Sequence, residues 1–364
     1  LNVLSLFDGM SCGQIALERA GFKVDKYFAS EIDKYAIKVT QANYPETIQL
    51  GDVRNVKADD LPSIDLLIGG SPCQGFSFAG KQLNFDDPRS KLFFEFVRLF
   101  KETKPKYFLL ENVRMKKEYQ DVISKLLGVD PVMINSCLVS AQNRKRFYWT
   151  NIPNVTQPED KGILLKDILL NEYAEPKQLK KYFNEKKNIV SYDRCIQIGE
   201  ADLKGHDYIK RVYSPEGKSP TLNANGGGNL EPKVSVIENH NSKDGLMCVG
   251  GLIKNKKWLD DGGNLQRNYS QGERIYSAKG KNPTLNAHSG GTAGVGNNLI
   301  TETGNPLFWR KLTPTECERL QTVPDKYTLV PWGNRMMSNS QRYKMLGNGW
   351  TVDVICHILK NMSI

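Results

Sequence analysis

The chain has 364 residues, 39% of them hydrophobic, and carries 50 Lys and Arg against 40 Asp and Glu, a formal charge of +10. That length excludes one minimal domain and predicts a large core with a smaller second module; the absence of any apolar run near the roughly 20 residues of a membrane helix, and of a basic stretch in Leu1-Asn2-Val3-Leu4, predicts a soluble intracellular protein. The basic balance favours nucleic acid as partner or else marks an inert basic surface, and seven scattered cysteines with no C-x-x-C pair indicate neither a disulfide framework nor a zinc site.

Up to about residue 150, short apolar runs alternate with helical patterns, which predicts α/β architecture. Val3-Leu4-Ser5-Leu6-Phe7, Tyr27-Phe28-Ala29, Ile64 to Ile68 and Tyr107 to Leu110 read as buried strands, and Lys91 to Phe100 as a core-packed helix. From about 191 to 305 the texture changes: 18 of the 31 glycines fall there and helix patterns fade, so a loop-rich or short-stranded module is expected. Within it Arg211-Val212-Tyr213-Ser214 … Gly217-Lys218-Ser219-Pro220-Thr221-Leu222-Asn223-Ala224 recurs 63 residues later, from Arg274 to Ala287. Two copies are too few for a solenoid and indicate a duplication inside one domain. Each copy offers Arg, Tyr, Lys, Thr and Asn for phosphate or base-edge contacts, or serves only the fold. Thr313-Pro314-Thr315-Glu316 reads as a capping box opening a helix to about Gln321, and Thr351 to about Met362 as a final helix with an apolar face for the N-terminal sheet.

Three loops carry candidate chemistry. Phe7-Asp8-Gly9-Met10-Ser11-Cys12-Gly13 joins the first strand to a helix and presents backbone N–H groups where α/β folds bind nucleotides. It is not G-x-G-x-x-G, which suits a cofactor without a pyrophosphate. Glu31, just past the second strand, is placed for ribose hydroxyls, and Asp52, beyond a third, for an adenine amine. Taken singly, each acid is more often a solvated loop residue. Gly69-Gly70-Ser71-Pro72-Cys73-Gln74-Gly75-Phe76-Ser77 ends the fourth strand with a cysteine in a Gly/Pro-rich turn, either a buried structural thiol or a nucleophile. Glu111, ending the next strand, could face the same crevice.

Together these residues resemble the DNA cytosine-5 methyltransferase family. Pro72-Cys73-Gln74 is similar to its nucleophile motif, Glu111-Asn112-Val113 to its Glu-Asn-Val motif and Gln142-Asn143-Arg144-Lys145-Arg146 to its Gln-x-Arg-x-Arg motif, in the family's order. Leu312 to Gln321 is similar to a later structural helix, and Gly347-Asn348-Gly349 … Val352 to the closing cofactor motif. Asp65 to Pro153 looks most like the de novo enzymes of animals, whereas the repeated module looks more like prokaryotic and phage members. Asp8, Cys12 and the Gly349-Trp350 pair, in place of the common Ser-Val, depart from many bacterial members. The implied fold is a Rossmann-like methyltransferase sheet flanked by helices with a smaller target-recognition domain: residues 1–160 catalytic, 161–308 target recognition with its linker, and 309–364 returning to the catalytic domain.

The resemblance implies methyl transfer from S-adenosyl-L-methionine to carbon 5 of a flipped cytosine in duplex DNA, with no metal. Cys73 would add to carbon 6, Glu111 would bind ring N3 and the amine, Arg146 would hold O2, and Arg144 would support that pocket or a phosphate. The loop Phe7, Asp8, Gly9 and Met10 would meet the cofactor, with Phe7 against the adenine, Glu31 on the ribose, Ile32 and Val53 about the ring, Asp52 on its amine, and Leu92, Asn348 and Trp350 completing the pocket. Gln74, Ser77, Arg211 and Arg274 are the expected DNA contacts. A restriction endonuclease is a candidate partner, and the cytoplasm of a prokaryotic or phage-infected cell, at the nucleoid, the expected location. The competing readings are a transfer-RNA cytosine methyltransferase and a catalytically silent DNA-binding regulator.

Overall fold

The computed structural model describes residues 1–71, 91–170, 194–224, 230–236 and 308–363, together with strands at 177–182, 191–192, 240–241, 247–252, 258–259, 274–277 and 299–301. The N-terminal part is built on β1 (Asn2–Leu6), β2 (Lys26–Ser30), β3 (Ile48–Gln49), β4 (Leu66–Gly70), β5 (Tyr107–Val113), β6 (Val132–Asn135) and β7 (Lys145–Thr150). They form one sheet in the order β3-β2-β1-β4-β5-β7-β6. The first five run parallel, and β7 is antiparallel to both its neighbours.

The central strands read as unbroken apolar runs because both faces of the sheet are covered. Val3, Leu66, Ile68 and Leu109 join one apolar cluster, while their neighbours Leu4, Leu67, Phe108 and Leu110 join the other. The first face is packed by α1 (Cys12–Ala20) and the second by α3 (Lys91–Thr103), through Ile15 and Leu17 on one and Phe93 and Phe96 on the other. Helices α2 (Lys34–Asn43) and α4 (Lys117–Leu127) complete this part. The expected strand over 64–68 starts at Leu66 instead, because pairing with β1 begins there at Val3, and the fifth strand extends through Glu111 to Val113 because β7 pairs with it from Leu109 to Val113.

Among the described residues the second part is made of strands, with the short α-helix α5 (Asp207–Lys210). Strands β8 (Lys177–Tyr182), β9 (Ser191–Tyr192), β10 (Cys195–Ala201), β11 (Arg211–Tyr213), β12 (Lys233–Val236) and β18 (Phe308–Lys311) form a six-stranded sheet. A five-stranded sheet holds β13 (His240–Asn241), β14 (Met247–Leu252), β15 (Trp258–Leu259), β16 (Arg274–Ser277) and β17 (Leu299–Thr301). The sequence repeat extends to pairing. Gln197 opposes Tyr213 and, past an irregularity, Gly199 opposes Val212; Cys248 opposes Tyr276 and, past the same irregularity, Gly250 opposes Ile275. In each copy the repeat strand then takes a parallel partner, β12 or β17. A shared bulge position is a specific backbone feature, so the copies share a fold and not only a motif.

After β18 the chain returns to the first part through α6 (Pro314–Leu320), the hairpin of β19 (Pro331–Trp332) and β20 (Arg335–Met336), α7 (Asn339–Asn348) and α8 (Val352–Leu359). The expected capping box is present: Thr313 Oγ1 accepts from Glu316 N at 3.2 Å, and Glu316 accepts from Thr313 N at 2.7 Å. Glu316 is also gripped by both terminal nitrogens of Arg310, at 2.8 and 2.7 Å, with the two side chains nearly inaccessible. Val352, Ile355 and Ile358 of α8 lie in the cluster that holds Val3 and Leu17, so the last helix closes one face of the sheet.

Candidate active site

Parallel strands β4 and β5 end side by side, with Gly70 opposite Glu111. The carboxyl ends of such strands form the crevice in which open α/β sheets bind ligands. Buried Asn112 donates from Nδ2 to Ser71 Oγ at 3.1 Å, tying β5 to the start of the segment that carries Cys73. Cys73, Gln74 and Ser77 themselves lie outside the described residues.

Glu111 is 8% exposed. On the neighbouring antiparallel strand Arg146 pairs with Val113, two residues along, which places its long side chain on the face and diagonal of Glu111. Arg146 Nε lies 2.9 Å from Glu111 Oε1 as an ion pair. Trp350, just past α7, brings its indole Nε1 to 3.2 Å from Glu111 Oε2. The carboxylate is thus bracketed by a cation and a neutral donor.

Arg144 shares the alternation with Arg146 but not its environment. It is 3% exposed and donates to Gly347 O at 3.3 Å and Gly349 O at 2.9 Å. Burial first, and then Arg146, lower its pKa to about 10, which still leaves it charged at neutral pH. Of the two roles expected for Arg144, the phosphate contact is corrected: it has no solvent-facing guanidinium to offer, and it fastens the segment bearing Asn348 and Trp350 onto the start of β7.

The loop after β1 is a tight left-handed turn, with Phe7, Gly9 and Ser11 at φ 58°, 61° and 59°. For Phe7 and Ser11 this costs about 1–3 kcal/mol each, a strain typical of ligand clamps. What over-determines the turn is Asp8, whose carboxyl accepts from Ser5 Oγ at 2.6 Å, from Tyr27 OH at 2.7 Å and from Ser11 Oγ. Burial pushes its pKa up to about 6 against those donors. Asp8, expected at the cofactor, points inward; Met10, also expected there, has a side chain only 1% exposed that belongs to the apolar cluster under the loop. Both corrections have one cause: the turn packs down on the sheet, so that Asp8 meets Ser5, Ser11 and Tyr27 and Met10 joins the core beneath it.

Glu31 closes the loop from β2. Its Oε2 accepts from Gly9 N at 2.8 Å, and its Oε1 from Ile32 N and Asp33 N at 2.7 and 2.8 Å. Three of about four acceptor positions on a carboxylate are then filled, leaving one for a hydroxyl. Ile32 beside it is 74% exposed, an apolar side chain with no cover. Val53, expected as its counterpart, is 4% exposed and packs with Leu6 and Phe96, because Asp52 caps a 3-10 turn at 53–55 that tucks it inward. Asp52 is gripped by Arg54, which holds its carboxyl down to about 2. Phe7 and Leu92 are half-buried and Asn348 is exposed.

Five cysteines have described side chains, Cys12, Cys137, Cys195, Cys317 and Cys356, and all are buried. Burial pushes the Cys12 thiol up to about 12 and raises Cys317 and Cys356 as well. A thiol held protonated is a poor nucleophile. Among the described residues no His, Cys, Asp or Glu cluster could hold a metal ion.

In the first repeat copy, Arg211 is exposed at the start of β11. Lys218 is 1% exposed, and its ammonium donates to Cys137 O at 2.9 Å, Ser140 O at 3.1 Å and Ile163 O. Asn143 N donates to Ser219 O at 2.8 Å and Thr221 Oγ1 to Asn143 O at 2.7 Å. This copy's loop is therefore docked on the Gln142–Arg146 segment, so that of the two readings of the repeat its Lys218 and Thr221 follow the one in which they serve the fold. Nothing in the spacing of Gly217-Lys218-Ser219 distinguishes a buried lysine from an exposed one. Of Arg274 only the strand placement is described.

A family model described as C-5 cytosine-specific DNA methylase matches residues 1–363. The chain is 32% identical over 332 residues to the orphan methyltransferase M.Rho11sI of Bacillus phage rho11s, a match over 85% of this chain and 61% of that protein. It is 30% identical to the orphan methyltransferase M.SPRI of Bacillus phage SPR, over 100% of this chain and 97% of that one, and 27% identical to the type II methyltransferase M.HhaI of Haemophilus parahaemolyticus, over 100% and 94%. Among solved structures, S. pombe Dnmt2 methyltransferase superposes with a TM-score of 0.60 at 16% identity, covering 99% of this chain and 97% of that one, a likeness of fold.

Proposed function

The chain belongs to the C-5 cytosine-specific DNA methylase family, and we propose that it methylates carbon 5 of a flipped-out cytosine in a specific duplex DNA sequence through a covalent bond to Cys73. The observation that carries this reading is the buried Glu111 carboxylate bracketed by Arg146 and Trp350 beside the strand end that leads to Cys73.

A cytosine stacked in a duplex hides both ring faces, so the nucleotide has to rotate out at a cost of a few kcal/mol. The charge of +10 and exposed residues such as Arg211 support attraction of the phosphate backbone. Carbon 5 is a weak nucleophile until the Cys73 thiolate adds to carbon 6, when the ring electrons move toward N3 and carbon 5. Glu111 binds N3 and the exocyclic amine and supplies the proton shared with N3, while Arg146 stabilises the charge that builds at O2. Carbon 5 then takes a methyl group, and loss of its own proton expels Cys73 and restores the ring.

The residues present fit S-adenosylmethionine. Ile32 offers an uncovered apolar face, Glu31 keeps one acceptor position for a ribose hydroxyl, and the strained turn at Phe7 to Ser11 presents backbone groups at the sheet's carboxyl edge. Phe7, Glu31, Ile32, Leu92, Asn348 and Trp350 would hold it, with Gly9 through its main chain; when bound it supplies an electrophilic methyl on a sulfonium. Residues 1–160 and 309–364 form the catalytic part in this reading and 161–308 the target-recognition part. The name "orphan" borne by the phage relatives favours a role without a partner endonuclease, and their phage hosts favour a bacterial cytoplasm. No helix among the described residues is long and apolar enough to cross a membrane.

The deciding experiment is trapping. Duplex DNA with 5-fluorocytosine at a site mapped by bisulfite sequencing should give an SDS-stable adduct that requires S-adenosylmethionine and vanishes in Cys73→Ala. Methyl incorporation confined to transfer RNA, or an adduct that survives Cys73→Ala, would defeat the proposal.

A further inference from the structure

We propose that Trp350 is a positioning residue for Glu111: its indole N–H fixes one carboxylate oxygen while Arg146 fixes the other, so that the carboxylate meets cytosine in one orientation. This rests on Glu111 being the cytosine-binding carboxylate.

The indole occupies a slot that only glycine permits. A Cβ built on Gly70 would stand 2.9 Å from Trp350 Nε1 and 3.1 Å from Glu111 Oε2. The far edge of the ring reaches α1, where a Cβ on Gly13 would lie 3.8 Å from Cζ3. The main chain of Trp350 hydrogen-bonds to Cys12, and Gly349 just before it gives its carbonyl to Arg144. The side chain is therefore anchored at its root and confined along its length, and its one donor, Nε1, ends at Glu111 Oε2, 3.2 Å away.

Fixing both oxygens matters because of how a carboxylate is used. Each oxygen has two acceptor lone pairs. With Arg146 near Oε1 and Trp350 on Oε2, each oxygen keeps one free position, which suits two adjacent groups on one edge of cytosine: the exocyclic amine, which donates, and ring N3, which donates once it carries the proton shared with Glu111. A carboxylate held by Arg146 alone could still rotate about its terminal bond, a broad and weakly restrained torsion.

The test uses Trp350→Phe, which keeps a flat ring and removes the N–H, and Gly70→Ala, whose Cβ crowds the contact between the indole N–H and Glu111 Oε2 from the other side. Three quantities are read on the full chain: kcat, the Kd for S-adenosylmethionine, and the preference for duplex DNA with a mispaired cytosine at the mapped site over the same duplex with an abasic site. Both variants should lower kcat at saturating S-adenosylmethionine about tenfold and the cytosine preference by a similar factor, beyond any loss of cofactor affinity that follows from Trp350 also lining that pocket. In a Glu111→Gln background neither should change the cytosine preference further. An unchanged kcat, a loss confined to cofactor affinity, or an undiminished loss in the Glu111→Gln background would overturn the role of Trp350. If Glu111→Gln alone leaves the cytosine preference intact, the reading of Glu111 itself fails and this inference with it.

Discussion

Arg146 and Glu111 meet diagonally across antiparallel strands β7 and β5, with 2.9 Å between Nε and Oε1 and little of either side chain exposed. Residues 35 apart in the chain are made neighbours by strand pairing, and the low exposure strengthens their interaction over what it would be in water.

This geometry predicts that Arg146→Lys, which keeps the charge but loses the planar fork, lowers single-turnover methylation by about 10²-fold. Wild-type turnover in that variant would show that the charge alone suffices.

Ile32→Ser should weaken S-adenosylmethionine while leaving the free protein as stable as before, because a side chain 74% exposed contributes little to the core. Covering such a side chain is worth about 1.5–3 kcal/mol, so calorimetric titration should show a Kd raised roughly tenfold or more. An unchanged Kd would remove Ile32 from the pocket.

Asp8→Asn tests the lock beneath the loop. With its folded pKa near 6 and an ordinary value of 3.8, the carboxyl holds its proton more tightly when folded. Its charge therefore costs stability above about pH 6, and the cost fades as the pH falls toward 4. The variant should melt higher than the wild type at pH 8, by on the order of 1–3 kcal/mol, with the gain shrinking below pH 5. A gain that does not depend on pH would refute the burial of that charge.

Lys218 and Arg211 lie in the same repeat copy but should behave oppositely. Lys218→Met strands three carbonyls and should cost about 3 kcal/mol in denaturant unfolding while leaving the salt dependence of DNA binding unchanged. Arg211→Ala should leave stability alone and reduce the slope of log K against log salt by about one. The reverse pattern would place Lys218 on the DNA.

The amino-acid order by itself determined the α/β class, the four central apolar strands of the first half, the capping box at Thr313 and Glu316, and the duplication at 211 and 274, because those depend on local periodicity, local hydrogen bonding and direct repetition. It also brought Glu111 and Arg146 forward through a short motif. Tertiary structure alone decided which polar residues face inward. Asp8 and Val53 lie in turns whose facing follows from neighbours 19 to 47 residues away, Tyr27 for the first and Leu6 and Phe96 for the second. Lys218 and Arg144 look like surface cations in a row of basic residues; each is buried because a distant segment supplies the carbonyls that satisfy it. Trp350 is the sharpest case. As a sequence feature it was one departure in a cofactor motif, and only the pairing of β4 with β5 and the return of the chain after α7 bring its indole, 239 residues from Glu111, to the carboxylate. Periodicity reports which face of an element is apolar, but a hydrogen bond between distant segments depends on how those elements pack.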